Sequence, residues 1–369
     1  MKNIVFLTTV NHNVGDDFIR EGLVYLLKDV VGEFHQILIH KHEPLRPVPG
    51  LLKFRGLRRI WKISRKGHVE RYFNRIFKAD IVIQAGAPVY WISNSHDSSM
   101  AEWVKPFWHD RVAQFYKEKP VLNLAAGSCF SLQEKLSSIL KHEKLTSFIR
   151  DIHRFCRVTT VRDALAKEIL DGLGLKNELL PCASIFARDL FSVEPKPPEF
   201  FLINYMKLTG HYAWDPGFDA DVWIRKVLEV YRIAKKIYPV KFICHNLQEI
   251  REARDIGIPR QELFYSRDHR DYIEMYSKGA GGFLNRVHGA MMLASFGRKS
   301  FVVGNDTRIQ MASLIGIPAV PVSEVAKIDA KSAVDSVLNE QGPFSEAMRT
   351  VRERAAGSYR AILRESLRS

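Results

Sequence analysis

The segment GGFLNRVHGA, residues 281–290, places two chemically active side chains where an apolar strand gives way to a helix. Arg286 and His288 follow a strand predicted at residues 282–284, and a helix is predicted over residues 289–296. The start of such a helix directs free N–H groups and a positive dipole end at an anion. Arginine suits a carboxylate or phosphate, and histidine exchanges protons near neutral pH. The segment indicates an anion site, although an arginine ion pair and a capped histidine would give the same pattern.

Short apolar strands alternate with helical patterns on both sides of this segment, which is typical of βαβ units in a mostly parallel sheet. Strands are predicted at residues 3–9, 36–40, 81–84, 121–124, 158–161, 179–180, 200–204, 240–245, 263–265, 282–284, 300–303 and 319–321. Helices are predicted at residues 17–30, 131–142, 145–154, 164–172, 222–237, 251–257, 270–277, 289–296, 309–315 and 344–367. The pattern therefore predicts an α/β protein with two Rossmann-like halves.

Chain length and a proline cluster suggest where the halves divide. A chain of 369 residues exceeds what one hydrophobic core serves efficiently, and prolines cluster over residues 194–199. We expect one domain at residues 1–195, a second at 196–345, and a terminal helix at 346–369 that crosses back onto the first. Ligands bind beyond the carboxyl ends of parallel strands, so two facing sheets predict one site between the domains.

Cysteine spacing and the lack of long apolar runs bear on location. The four cysteines lie far apart, with no CxxC pair and no clustered histidines, which favours reduced thiols over disulfides or zinc ligands: Cys129, Cys156, Cys182 and Cys244. No apolar stretch approaches the roughly 18 residues that a membrane span needs. We therefore expect a cytoplasmic protein, with any membrane contact peripheral.

Positive charge is concentrated in one segment. The formal net charge is +14, and residues 41–80 carry twelve Lys or Arg against three acids. Apolar and aromatic residues are interleaved over residues 51–78, so this stretch could form basic amphipathic helices on an anionic membrane surface or hold a polyanion. A solvated helix face with a linker would look the same. No zinc-finger, RRM or KH signature is present, so nucleic acid is not expected as a partner.

Three further loops follow predicted strands and could carry ligand contacts. Arg308 lies in a loop before a helix, as does Arg162, which Asp163 follows as a candidate cap. Both arginines could serve an anion or form simple ion pairs. Gly86 offers close backbone approach after the strand at residues 81–84. Two aromatic residues follow it and could be a sugar platform or core: Tyr90 and Trp91.

The loop after the first strand has a different composition. Asn13, Gly15 and Asp16 open the first helix, with too few glycines for a dinucleotide fingerprint. Gly15 allows a ligand to approach the backbone, and Asp16 or Asp17 could bind a sugar hydroxyl or act as a base. Asp16 could equally do no more than cap the helix.

The order and spacing of these motifs resemble the polysaccharide pyruvyl transferase family, whose fold is similar to that of GT-B glycosyltransferases. The matching motifs are N-x-G-D at residues 13–16, D-x-V-I-x-x-G at 80–86, V-R-D at 161–163, a strand and histidine at 242–245 and R-x-H-G-A at 286–290. The chain departs from the family where Ala85 replaces a glycine, where Cys182 and Ala183 replace an Asp-Pro pair, and where Arg308 replaces a common lysine.

The resemblance implies a donor, an acceptor and residue roles. The donor would be phosphoenolpyruvate, and the acceptor a hydroxyl pair of a glycan or a lipid-linked oligosaccharide at the inner face of the membrane. No metal or cofactor is implied. His288 would be the general acid and the arginines an anion clamp: Arg162, Arg286 and Arg308. Asp16 is our candidate base, with substrate contacts expected at Asn13, Gly15, Gly86 and Gly289.

Two other functions fit the same pattern. A glycosyltransferase that uses a nucleotide sugar would suit the fold and a basic cleft, and it would need a carboxylate for the ribose, for which residues 302–308 offer only Asp306. A protein without catalytic activity could bind glycans or membranes through the basic segment.

Overall fold

The computed structural model describes residues 1–10, 13–40, 71, 74–86, 88–91, 108, 111–208 and 218–368. Most of the basic segment lies outside these ranges, including residues 51–70, 72 and 73 of the stretch that could form amphipathic helices. Its described end, Asn74–Lys78, is a short 3₁₀ helix in which Ile76 is buried.

The first half is a parallel sheet with helices. Its strands are β1 (Lys2–Thr8), β2 (Phe34–His40), β3 (Ile81–Ala85), β4 (Pro88–Trp91), β5 (Val121–Cys129), β6 (Val158–Val161) and β7 (Glu178–Leu179). The order is β2-β1-β3-β5-β6-β7, with β4 paired to β5 and every pairing parallel. Its helices are α1 (Val14–Val31), α2 (Leu136–Lys141), α3 (Glu143–Phe155), α4 (Ala164–Gly172) and α5 (Ala187–Leu190).

The second half repeats this architecture. Its strands are β8 (Phe200–Ile203), β9 (Val240–Ile243), β10 (Leu263–Phe264), β11 (Gly279–Leu284), β12 (Ser300–Gly304) and β13 (Ala319–Pro321), in the order β10-β9-β8-β11-β12-β13, all parallel. The helices are α6 (Ala220–Ala234), α7 (Leu247–Asp255), α8 (His269–Ser277), α9 (Val287–Ser295), α10 (Gln310–Leu314), α11 (Ala330–Asn339) and α12 (Gln341–Arg368). The predicted fold class, two parallel sheets in an α/β protein, is confirmed.

Central strands are buried on both faces, which is why they read as continuous apolar runs. Every residue of β3, β5 and β11 is buried, as expected for parallel strands covered by helices. Tyr90 and Trp91 are 1% and 5% exposed, and the Tyr90 hydroxyl accepts from Asn123 Nδ2. They belong to the core, so the sugar-platform interpretation is wrong.

One apolar core joins the two halves. It includes buried residues of α1, α8, α9 and α12 together, and the rings of Phe18 and Tyr276 meet edge to face at 6.3 Å. Helix α12 lies against the first half, where the Tyr359 hydroxyl donates to the carbonyl of Pro181 and Arg360 pairs with Asp29. The chain therefore leaves the second half and ends on the first. The domain bounds at residues 195 and 345 stay predictions.

Several element boundaries differ from those predicted. Helix α1 begins at Val14, three residues early, because Asn13 caps it. Helix α9 begins at Val287 and so includes His288 in its first turn. Strand β4 and helix α11 have no counterpart among the predicted elements. These are short or weakly periodic segments whose identity depends on packing rather than on local pattern.

Candidate active site

His288 lies where the two halves meet. It is only 8% exposed, and its Nε2 atom is 3.3 Å from Nη1 of Arg162, which belongs to the first half. The backbone of Gly15 covers the other ring nitrogen so closely that an added Cβ would come within 2.5 Å of Nδ1. Because a guanidinium can only donate hydrogen bonds, Nε2 acts as the acceptor, and the ring is neutral with its proton on Nδ1.

The surroundings of His288 favour this neutral form. Burial lowers the pKa of His288 well below its usual range, and the nearby guanidinium of Arg162 lowers it further. Arg308 and Arg286 act in the same direction, while the carboxylate of Asp16 raises the pKa. In the absence of a bound anion, the neutral imidazole with an unprotonated Nε2 atom is therefore the favoured form of His288.

Arg162 is fully buried behind His288. Its Nε and Nη2 atoms have no hydrogen-bond partner among the described residues. Gly127 makes room for it, because a Cβ there would come within 2.5 Å of Nε. Nη1 also lies 3.9 Å from Cys182 Sγ, at one of the positions where the chain departs from the family motif. Such a buried, incompletely paired guanidinium is costly unless charge compensates it.

Arg286 and Arg308 face the same cavity as His288, and each is held by a carboxylate. Arg286 Nη2 pairs with the deeply buried Glu249 of α7. Arg308 donates two hydrogen bonds to the carboxylate of Asp306, from Nε to Oδ1 at 2.8 Å and from Nη2 to Oδ2 at 2.5 Å. The two carboxylates fix both guanidinium groups in place, so the cation positions are set before any ligand arrives.

The cavity between these residues is small, at about 30 Å³. Asn13 and Gly15 line it from the first half, and the second half supplies the rest: Met206, His245, Asn285, Arg286, Val287, His288, Gly304, Asn305, Asp306, Arg308 and Ile309. This space suits a water molecule and not an organic substrate. A substrate therefore needs more space than the cavity offers in this conformation.

Hydrogen bonds beside the cavity join the halves directly. The Oγ1 atom of Thr307 lies 2.8 Å from Oγ of Ser128 and accepts from the backbone N–H of Phe130 at 3.1 Å. The N–H of Thr307 donates to the carbonyl of Phe130. We call this set of contacts between Ser128, Phe130 and Thr307 the latch. It must loosen if the cleft opens.

The remaining predicted residues are not all part of the cavity wall. Asn13 caps α1 by accepting from the N–H of Gly15, so the interpretation of Asp16 as the cap is wrong. Asp16 is 2% exposed in the first turn of α1, and its carboxylate influences His288 electrostatically. Gly86, with φ of 61°, packs against Ile19 instead of lining the cavity.

Gly289 likewise serves packing around the site. An added Cβ there would strike the hydroxyl of Tyr276, and that hydroxyl lies 3.3 Å from Nε2 of His245. His245 lines the cavity, although its sequence context indicated only the end of a strand motif. Its position after β9 was the available signal, because side chains that follow parallel strands gather at one sheet edge. Glu249 carried no such signal, since it lies within a helix.

A family comparison is consistent with this arrangement. The sequence model of the polysaccharide pyruvyl transferase family matches residues 13–307 of this chain. These residues run from the loop that opens α1 to the latch. The chain is a member of the polysaccharide pyruvyl transferase family. No curated protein matches the chain.

Solved structures with a similar fold include two epimerases and a synthase. A UDP-GlcNAc 2-epimerase from Neisseria meningitidis, bound to UDP-GlcNAc, has a TM-score of 0.53 at 11% identity, covering 99% of each chain. A putative UDP-N-acetylglucosamine 2-epimerase from Listeria monocytogenes has a TM-score of 0.53 at 12% identity, and the match covers 94% of this chain and 90% of that one. The trehalose 6-phosphate synthase of Burkholderia multivorans has a TM-score of 0.50 at 10% identity, and the match covers 100% of this chain and 96% of that one. This pyruvyl transferase family member thus has the GT-B fold.

The length and composition of the helices bear on membrane insertion. No helix in the described ranges is both long and apolar enough to cross a membrane. The terminal helix α12 has the length, with 28 residues, but charged residues recur along it.

Proposed function

We propose that this chain transfers a pyruvyl group from phosphoenolpyruvate to a pair of sugar hydroxyls on a polysaccharide or its lipid-linked precursor, forming a pyruvate ketal. The reaction needs no metal or cofactor and takes place on the cytoplasmic side, where the chain meets its acceptor. The observation that carries the proposal is the contact between the imidazole of His288 and the guanidinium of Arg162, with two further guanidinium groups across the same cleft.

The charges of the site match those of the donor. Phosphoenolpyruvate carries a carboxylate and a phosphate on three carbon atoms, so it needs two neighbouring cationic positions. Arg286 and Arg308 supply these positions at the cavity wall, each already oriented by a carboxylate. Arg162 adds positive charge from behind His288. The carbon skeleton would then lie beside the imidazole.

The bound donor would also create the general acid. Its negative charges would offset the arginines that lower the pKa of His288, and Asp16 already favours the imidazolium. His288 would therefore take up a proton as the donor binds, and its Nε2 atom would exchange the contact with Arg162 for one with the donor, because two hydrogen-bond donors cannot pair. This couples acid formation to the presence of the donor and suppresses proton transfer in the empty site.

The transfer would then proceed in two additions. Imidazolium His288 protonates the methylene carbon, and the first sugar hydroxyl adds to the adjacent carbon and releases its proton. The bond from that carbon to the phosphate oxygen breaks, phosphate leaves, and the second hydroxyl adds and releases its proton to close the ketal. The arginines stabilise the developing negative charge on the leaving phosphate. Asp16 is our candidate acceptor for a hydroxyl proton.

Labelled donor tests this function directly. The full chain is incubated with phosphoenolpyruvate labelled in the pyruvyl carbons and with lipid-linked glycans from the host. We expect one phosphate released for each label retained on sugar, and loss of both in His288→Ala. Phosphate release without label on sugar would contradict the transfer.

A nucleotide-sugar glycosyltransferase remains a second candidate, because the related folds include a trehalose 6-phosphate synthase. Such an enzyme needs a carboxylate for the ribose, and Asp306 is the residue after β12 that sequence offers. Both of its carboxylate oxygens accept hydrogen bonds from Arg308. The geometry therefore supports the pyruvyl donor better. Stabilisation of the chain against heat by uridine diphosphate, and not by phosphoenolpyruvate, would favour the glycosyltransferase.

A further inference from the structure

A second cavity lies on the side of the molecule where α12 crosses between the halves. Its volume is about 360 Å³, within the range of small-molecule sites. Its walls come from α5 in the first half, from the end of α9 in the second half, and from α12. None of its wall residues belongs to the active-site cavity.

Positive charge dominates this cavity. Four arginines line it, against two carboxylates from Asp189 and Glu353: Arg188, Arg349, Arg352 and Arg360. Arg360 is engaged outside it by Asp29 of α1. Within the cavity, Arg352 takes both oxygens of Asp189, at 2.7 and 2.5 Å. The carboxylate of Asp189, next to Arg188, is therefore already paired with another arginine.

Arg188 is the least compensated of the four. Its side chain is 13% exposed, and its Nε and Nη1 atoms make no hydrogen bond to any described residue. The nearest carboxylate oxygen, on Asp189, lies 3.6 Å from Nε. Burial and the neighbouring Arg352 lower the pKa of Arg188, and Asp189 and Glu194 only partly oppose this. A guanidinium in this position gains from any anion that enters the cavity.

The cavity walls also include aromatic rings and the C-terminal end of α9, whose negative dipole end is partly neutralised by an arginine. Arg188 stacks over the ring of Phe296, with 5.1 Å between guanidinium carbon and ring centroid, and Phe186 lies under Arg352 at 5.9 Å. The last carbonyl groups of α9 would repel an anion, but Arg352 Nη1 donates to the carbonyl of Ser295. The cavity therefore combines cationic and aromatic surfaces, and the carbonyl group at the end of α9 is already hydrogen-bonded to Arg352.

We propose that this cavity is a second ligand site, which binds a small organic phosphate with its phosphate at Arg188 and Arg352 and its carbon portion against Phe296. The site stands independently of the pyruvyl-transfer proposal, because the two cavities share no residue. It also contacts the end of α9 opposite to His288, since that helix runs from Val287 to Ser295.

Calorimetric titration with phenyl phosphate tests the site, because this probe combines one phosphate with one aromatic ring. Phosphoenolpyruvate is left out, because it is itself a small organic phosphate and would compete for the proposed site. We expect binding of one equivalent, at least tenfold weaker binding in Arg188→Gln, and unchanged binding in Arg254→Gln, which lies in neither cavity. Phenol and inorganic phosphate are expected to bind more weakly than phenyl phosphate.

Further variants separate this site from the active site. Arg349→Gln, at the exposed rim, is expected to weaken binding a few fold and serves if Arg188→Gln fails to fold. Arg286→Gln is titrated in the same way and should bind phenyl phosphate as the unchanged chain does. Undiminished binding in both Arg188→Gln and Arg349→Gln, or loss of binding in Arg286→Gln alone, would overturn the proposal. Failure of pyruvyl transfer would leave it standing.

Discussion

The two halves contribute to the active site in different ways. The second half supplies the side chains that form the cavity wall, namely Arg286, His288 and Arg308. The first half supplies Arg162 and Asp16, which are almost completely buried and set the charge of His288 from behind. Under the proposed function, the comparison implies that one half would hold the anion, while the other would control when the imidazole is protonated.

The largest effect is expected at the residue on which both halves act. His288→Ala should reduce pyruvyl transfer by about 10²- to 10⁴-fold, because proton transfer by a placed side chain contributes that much. Donor binding should persist, since the arginines remain. Initial rates with labelled donor measure the loss, and His35→Ala, an exposed histidine in β2, is the matched control. An undiminished rate would remove His288 from the chemistry.

Crowding His288 from the first half should have the next largest effect. Gly15→Ala places a Cβ within 2.5 Å of Nδ1, so the imidazole must move. We expect at least a tenfold loss of transfer with the fold retained, checked by rates and circular dichroism. Gly174→Ala, where an added Cβ has no neighbour within 4 Å, controls for loss of a glycine, although its positive φ costs some stability. Full activity in Gly15→Ala would show that the ring position is not critical.

Removing charge from the first half should move the pKa of His288 in opposite directions. Arg162→Met removes a cation that lowers the pKa, so the pKa should rise. Asp16→Asn removes a carboxylate that raises it, so the pKa should fall. Both are read by NMR titration of the imidazole. Shifts of the same sign in the two variants would break the division of roles between the halves.

Removing an arginine from the second half should weaken donor binding instead. Arg286→Gln should raise the KM for phosphoenolpyruvate by about tenfold or more, because a charge-assisted contact to the anion is lost. The pKa of His288 should rise less than in Arg162→Met, since Arg286 is the weaker influence. Steady-state kinetics over a range of donor concentrations separates KM from kcat. A change in kcat alone would contradict the assignment.

The smallest effect is expected at the latch. Thr307→Val removes the hydroxyl that meets Ser128 and Phe130, which should lower the free energy of unfolding by about 1 kcal/mol. Transfer should change less than tenfold, because the latch touches no reacting group. Denaturant unfolding measures the stability, with Thr350→Val as control. A loss of activity comparable to that of His288→Ala would mean that the latch residues act in the reaction.

Local pattern predicted the site residues that follow strands. Arg286, His288 and Arg308 each come within four residues of the end of a strand, and the topology of parallel sheets brings such positions to one edge. Arg162 was predicted for the same reason, but its burial behind His288 depends on the space that Gly127 leaves. No local signal in the sequence indicates that the backbone of Gly15 packs against His288 and that of Gly127 against Arg162. Nor does any such signal show that this histidine and this arginine, from different halves, meet.

Ion pairs between residues far apart in the chain could not be predicted from the sequence. Glu249 pairs with Arg286 across 37 residues, and Arg352 with Asp189 across 163. Such pairs depend on how helices pack and not on spacing along the chain. The second cavity was missed for this reason, because its arginines lie on α5 and α12, whose approach is set by the terminal helix crossing back.

The central claim is that the donor anion turns a neutral imidazole into an acid. NMR titration of His288, labelled at its ring carbons, tests this most directly when the free chain is compared with the chain saturated with phosphoenolpyruvate. We predict a pKa well below 6.5 in the free chain and a clear rise toward neutral pH in the complex, both signals being absent in His288→Ala. A pKa that does not change on saturation, or one that falls, would contradict the account.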